Sequence, residues 1–164
     1  MKTLKRRRKE GKTDYLIRMK LLKSGKPRIV FRKTNKYAVS QYIVSESAQD
    51  KVVFGITSKI LLKYGWPENL SGSLKSIPAM YLTGYLMGKK ILKEKLEIPI
   101  VDFGMQRAIK KSKMFAFIKG LIDSGLKIVC SEENFPEEER LSGKNAKEDI
   151  SKVVKETKSK IDKN

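Results

Sequence analysis

Pro27-Arg28-Ile29-Val30-Phe31-Arg32-Lys33-Thr34, then Asn35-Lys36, then Tyr37-Ala38-Val39-Ser40-Gln41-Tyr42-Ile43-Val44 reads as two strands joined by a tight turn. β-Branched and aromatic residues crowd both halves, and Asn35-Lys36 is a turn signal. Lys51–Thr57 has the same character and predicts a third strand. Short connections between successive strands require antiparallel pairing. Side chains alternate between the faces of a strand. Arg28, Val30 and Arg32 therefore share one face, and Ile29, Phe31 and Lys33 the other. On the second strand Tyr37, Val39, Gln41 and Ile43 share a face. Two arginines on one face are hard to bury. That face is expected to be at least partly open, with helices covering the other.

Downstream of the meander the period changes. Ser58 is placed to cap a short helix ending near Gly65. Ser76 caps a long helix with Pro78 in its first turn, where a missing N–H costs nothing. Ile77, Met80, Tyr81, Gly84, Gly88 and Ile91 recur along it at helical spacing. The Gly84/Gly88 pair predicts close packing of this helix on the sheet. Ile98–Gly104 reads as a short buried strand. Ser112–Ser124 is amphipathic through Met114, Phe115, Ile118, Leu121 and Ile122, and stops at Gly125. Lys127–Ser131 reads as a last strand. The order is three antiparallel strands, then α-β-α-β, and helices that cross between strands imply parallel pairing. The fold class is α/β, an α+β mixed sheet of ribonuclease-H-like topology.

Charge divides the chain into three. With 37 Lys+Arg against 18 Asp+Glu, the net charge is +19. Residues 1–36 hold 15 Lys/Arg against two acids, Glu10 and Asp14. Residues 132–164 hold 8 against 9. The expected organisation is a basic N-terminal arm over 1–24, a mixed-sheet core over 25–131 and a C-terminal extension over 132–164. In the arm, Tyr15–Leu22 predicts a turn or two of helix, with Leu16, Met19 and Leu22 near one face. In the extension, Ile150, Val153, Val154, Thr157 and Ile161 make one apolar helical stripe, expected to dock on the core or on a neighbour.

Self-repulsion at this charge disfavours a compact state unless a polyanion neutralises it. Nucleic acid is the first candidate, because each neutralised phosphate releases counterions; an anionic membrane surface is the second. No apolar run approaches the length of a membrane span, and the basic opening is not followed by the apolar segment of a signal peptide. Four clusters are candidate RNA contacts. Arg6, Arg7, Arg8 and Lys12 form a phosphate-binding stretch that Tyr15 and Arg18 continue with a ring and a guanidinium. Arg28, Arg32, Tyr37 and Gln41 lie on the open face, where rings stack on bases and cations hold phosphates. Lys33, Asn35 and Lys36 occupy the hairpin tip. Lys89 and Lys90, with Arg107, Lys110, Lys111 and Lys113 after the fourth strand, complete the set.

Catalysis has little to work with. Histidine is absent, which removes the commonest general base and metal ligand. The single cysteine, Cys130, makes no internal disulfide and no metal site alone, and suits a reducing compartment. The enzyme alternative is a metal-dependent nuclease on the same topology, which needs several carboxylates converging from strand ends. Asp102 and Asp123 are the only core acids in suggestive places, and the first strand has none. No P-loop or dinucleotide fingerprint is present. No catalytic residue, metal ligand, cofactor or small-molecule substrate is expected. A generic RNA chaperone is the other alternative.

Several ordered stretches carry a resemblance. They are Glu10-Gly11-Lys12-Thr13-Asp14-Tyr15, Leu21-Leu22-Lys23-Ser24-Gly25-Lys26-Pro27-Arg28, Thr34-Asn35, Tyr64-Gly65-Trp66, and Tyr81-Leu82-Thr83-Gly84 with Gly88-Lys89-Lys90. Asp102-Phe103-Gly104, Phe115-Ala116-Phe117-Ile118-Lys119-Gly120 with Asp123-Ser124-Gly125, and Asn134-Phe135-Pro136-Glu137-Glu138-Glu139-Arg140 with Gly143 follow. Together they resemble the large-subunit ribosomal protein eighteen family in its archaeal form, whose eukaryotic counterpart is large-subunit protein five. The resemblance implies a cytoplasmic, non-catalytic constituent of the large ribosomal subunit. It implies binding to 5S rRNA, docking onto 23S rRNA in the central protuberance, and contacts with neighbouring ribosomal proteins there. It maps 5S contact onto Arg6, Arg7, Arg8, Lys12, Tyr15, Arg18, Arg28, Arg32, Lys33 and Asn35.

Overall fold

The computed structural model describes residues 3–47, 49–145 and 150–163. Three strands form the meander: β1 Arg28–Lys33, β2 Ala38–Glu46 and β3 Gln49–Thr57. β1 pairs antiparallel with β2 from Arg28↔Ile43 to Lys33↔Ala38. β2 pairs antiparallel with β3, with an irregularity at Tyr42/Ile43. β4, Ile100–Asp102, runs parallel to β1 on its other side, so the sheet order is β3-β2-β1-β4. The mixed sheet expected from the sequence is present.

The hydrophobic face of this sheet is set by alternation. Ile29, Phe31, Ala38 and Tyr42 point to the core and are buried. Phe31 contacts Phe117 at 4.4 Å between centroids and Phe103 edge-on at 5.7 Å. Two helices belong to the arm, α1 Arg6–Lys9 and α2 Tyr15–Lys23, and neither has a buried residue; the helices supplying that core are α3 Ile77–Lys93 and α4 Lys113–Asp123. α3 starts where the sequence says, with Ser76 Oγ accepting from the Ala79 N–H. It is buried almost throughout.

α3 and α4 lie side by side at backbone contact. A Cβ on Gly84 would come within 2.2 Å of Phe117 O, and one on Gly120 within 2.1 Å of Tyr81 O. Gly88 faces Ser124 and Leu121 in the same way. Contacts advance together along both helices, so the two run parallel and their N-termini lie at one end. The glycines serve helix–helix packing rather than the helix–sheet packing expected. α5 Glu138–Ser142 and α6 Ser151–Asp162 follow. α6 docks on the core, with Ile150, Val154, Thr157 and Ile161 buried. Polar contacts fix it: Tyr85 donates to Asp162 at 2.6 Å, and Lys158 donates to the Tyr81 hydroxyl at 2.8 Å.

Two expectations are corrected. Lys127–Ser131 forms no strand: Val129 is fully exposed, and the neighbouring β4 offers only three residues as a template. Ser58 does not cap the 3-10 helix Ser58–Tyr64. It is buried, and its Oγ accepts the Ala38 N–H at 3.0 Å, holding the start of β2.

Candidate nucleic-acid interface

The face of β1 and β2 turned away from α3 and α4 is not open. Asp14 caps α2 by accepting the Leu16 and Ile17 N–H groups. The arm then folds over the sheet, and the two enclose a polar cavity of about 310 Å³. Thr13, Ile17, Arg18 and Leu21 line it from the arm; Arg28, Val30, Arg32, Gln41 and Ile43 line it from the sheet. The stripe expected on α2 does not face inward, since Leu16 and Met19 are exposed.

This covering changes the standing of Arg28. The side chain is 2% exposed. It pairs with Asp50 at 2.7 Å and Asp102 at 3.4 Å, and donates to Ser45 Oγ at 3.0 Å. A guanidinium so buried, and held by Asp50, Asp102 and Ser45, is not presented to a phosphate at the surface, so its placement on an accessible face is corrected. Its neighbour Arg32 differs. It donates to Phe31 O and Asp102 O, yet 42% of the side chain reaches solvent. Asp50 joins sheet to arm through Arg18 at 2.9 Å. Burial opposes its charge, but Arg18, Ser45 and Arg28 outweigh that and bring its pKa down to about 2.

In the arm, Arg6 is 86% exposed and Lys12 is 62% exposed, and both lean on Glu10. Arg7 donates to Thr13 Oγ1, and Arg8 pairs with Asp14 at 2.7 Å. The Asp14 carboxylate is held below its ordinary range, first by the Ile17 N–H and then, against burial, by Arg8. Lys5 sits 4.6 Å over the Tyr15 ring. Lys33, Asn35 and Lys36 are exposed at the hairpin tip, which Thr34 closes through two bonds with Tyr37. Tyr37 is half-buried beneath Lys59, and Gln41 is half-buried in the cavity wall.

The remaining cations split. Arg107, Lys111 and Lys113 share one groove with Lys33 at the N-terminal end of α4. Lys110 and Lys111 pair with Glu133 and Glu137. Lys89 and Lys90 lie at the opposite, C-terminal end of α3, so the structure does not bring them to the arm. Lys89 pairs with Asp162 at 2.9 Å, and Lys90 lies 4.3 Å over Phe54.

A family model described as ribosomal large subunit proteins 60S L5 and 50S L18 matches residues 1–99, from the arm through α3. The chain belongs to this family. Archaeal relatives named large ribosomal subunit protein uL18 agree. The one from Korarchaeum cryptofilum is 44% identical over 138 residues, covering 84% of this chain and 69% of the relative. Thermofilum pendens has one 39% identical over 156 residues, covering 95% and 77%. That of Methanothermobacter thermautotrophicus is 41% identical over 143 residues, covering 87% and 72%. Membership makes the chain a structural constituent of the large ribosomal subunit, in the cytoplasmic ribosome.

Two family-region features escaped the sequence reading: Asp50 as the joint between arm and sheet, and the arm as a cover. The signal for the cover is Asp14, a cap three residues before Ile17 that fixes where α2 begins. Asp102 is also placed. It accepts the Gly104 N–H at 2.6 Å and pairs with both Arg28 and Arg32. Asp123 accepts from Tyr81 and pairs with Lys119. Among the described residues no group of three or more acids, cysteines or histidines is arranged to hold a metal ion.

Proposed function

We propose that the arm and the exposed rim of the β1–β2 face bind 5S rRNA and help dock it onto 23S rRNA in the central protuberance, beside neighbouring ribosomal proteins. The observation that carries this is the acid-poor arm. Residues 1–36 contain only Glu10 and Asp14 as acids, and both are spent on bonds within the arm. Arg18 is bonded to Asp50 of the sheet, while Arg6 and Lys12 stay largely exposed on a segment already folded against the sheet. Pre-folding lowers the ordering cost that a disordered basic tail would meet on binding. Arg6, Arg7, Arg8 and Lys12 hold phosphates, Arg32, Lys33, Asn35 and Lys36 extend the contact round the strand end, and Tyr15 offers a ring. Arg28 supports this surface from beneath.

The role is binding rather than catalysis, with no cofactor and no small-molecule substrate. A nuclease would need free carboxylates near Asp102, and that residue is occupied by two arginines. The test is affinity for 5S rRNA and for a scrambled RNA of equal length across a salt series. Tight binding to 5S rRNA alone, with a slope reporting several phosphates, is expected. Equal affinity for both RNAs would make the chain a generic RNA chaperone. Cleavage of either RNA with magnesium would restore the nuclease reading.

A further inference from the structure

The sheet ends on β4, the last strand in the order β3-β2-β1-β4. The Ile100 N–H donates to Pro27 O at 2.9 Å, so strand alternation turns the Val101 N–H and C=O away from β1. Among the described residues no further strand pairs with that side. An unpaired edge is a template for another strand, and proteins ordinarily blunt it with charge or a cover. Lys127–Ser131 borders one groove with β4 and has strand composition. Yet among the described residues it exchanges no backbone hydrogen bond with β4. Two strand-like stretches that flank a groove without pairing set local preference against structure, and such conflicts concentrate at functional places.

The side chains point the same way. The groove has a volume of about 510 Å³. Ile98, Val101 and Phe103 line it from β4 and its flanks, and Ile128 and Val129 line it from the other wall. Ile98 is 44% exposed and Val129 fully exposed. A contiguous apolar patch with a polar rim marks a contact surface, as scattered exposed residues do not. Only Lys26 and Lys127 bring charge to the groove, with no arginine and no acid. A chain of net charge +19 that leaves one apolar groove so poor in cations does not offer it to RNA, whose affinity comes from neutralised phosphates. Phosphate oxygens only accept hydrogen bonds, whereas a strand edge presents donors and acceptors in alternation. A second copy of the chain is opposed by its own charge. What fits is a polypeptide with apolar side chains, and with carboxylates to meet Lys26 and Lys127.

We propose that an extended, acid-bearing segment of a neighbouring protein in the large subunit lies in this groove and pairs with β4 as a fifth strand. Its backbone bonds the Val101 N–H and C=O, and its apolar side chains cover Ile98 and Val129. Its carboxylates meet Lys26 and Lys127. The proposal rests on the reading that the chain sits beside other proteins of the large subunit, and not on the RNA contacts of the arm.

Cys130 borders the groove and is the single cysteine of the chain, so it carries a probe to this surface alone. The full chain, labelled there with a benzophenone maleimide, is assembled with 5S rRNA and separately into large subunits, and irradiated. Adducts to another protein in the subunits, and none to RNA in either assembly, are expected. The peptide they fall on should be apolar and acid-bearing. Adducts to rRNA overturn the proposal in favour of RNA, and adducts between two copies of the chain overturn it in favour of self-association. No adduct, with Cys130 of unlabelled subunits alkylated as fast as in the free chain, means an open surface and overturns it too. Unlabelled variants give a second readout. Val129→Asp alters a side chain that the fold does not bury, so its unfolding midpoint and 5S rRNA affinity should match the parent. In competition with the parent it should enter large subunits roughly fivefold less well or worse, the effect of losing one interface anchor. Lys127→Glu should do the same. Parent-like entry of both variants overturns the docking site. Weaker 5S rRNA binding by Val129→Asp places the patch in the RNA interface and overturns it as a protein site. A parent chain without preference for 5S rRNA sinks the RNA reading and leaves this groove standing.

Discussion

Arg28 and Arg32 are two residues apart on one strand face and do opposite things. Removing a buried charge from its partners costs more than the pair contributes, because the partners stay behind. Arg28→Ala strands Asp102 and Asp50 in part, though each keeps one other arginine, Arg32 and Arg18. A loss of about 3 kcal/mol is expected, at the lower end for a broken buried pair, read as a lower urea midpoint at constant slope. Arg32→Ala removes a side chain 42% exposed and should cost under about 1 kcal/mol, while weakening RNA binding by about 1–3 kcal/mol. Equal destabilisation by the two would contradict this division. Alternation along β1 made the shared face legible, but alternation says nothing of what covers a face. The cover comes from α2, and the buried charge is compensated by Asp50 and Asp102, 22 and 74 residues away. Pairing over such separations leaves no periodic trace.

Elements were easier to read where their ends carry chemistry. Ser76 with Pro78 marks α3, and Gly125, at φ 108°, marks the end of α4. Lys127–Ser131 has strand composition but lacks a partner long enough to pair with, which composition alone does not reveal. The Gly84 spacing showed that something approaches closely, and the structure names it as α4. Gly84→Ala drives a methyl group into the Phe117 carbonyl, at 2.2 Å. Backbone on both sides leaves no flexible side chain to yield. A loss of about 3 kcal/mol or more is expected from such overpacking, measured by denaturant unfolding. A variant of parent stability would mean that α3 and α4 separate easily. The arm responds to pH instead. Asp50 has a folded pKa of about 2, below the ordinary carboxylate value of about 3.9. A group depressed in this way contributes its stability above the unfolded pKa. That contribution fades as pH falls from about 4 through about 2. Amide protection in α2, taken relative to the intrinsic exchange rate at each pH, should therefore fall over that window before protection in α3 does. A joint loss of protection in both would mean that the arm and core open as one unit.

At the scale of the whole molecule, a net charge of +19 sets two salt effects in opposition. Most ion pairs on the surface, such as Lys110–Glu133, are exposed and contribute little. Screening them removes little. Screening the long-range repulsion among 37 cations removes more, because an excess of one sign acts over the whole surface. The free protein should thus become more stable as sodium chloride rises from low to moderate concentration. About 1 kcal/mol would appear as a rise in Tm of roughly 2–4 °C for a chain of this size. RNA binding must move the other way over the same range, since the phosphates compete with added anions. The two measurements together separate the sources of the charge effect. Rising Tm with falling affinity places the positive charge on a surface that tolerates repulsion in order to meet RNA. A Tm that falls with salt would instead mean that partly exposed ion pairs such as Arg18–Asp50 and Arg8–Asp14 hold the fold and are weakened by screening. The outward cations of the arm would then be neutralised within the chain, and the case for RNA as their partner would weaken.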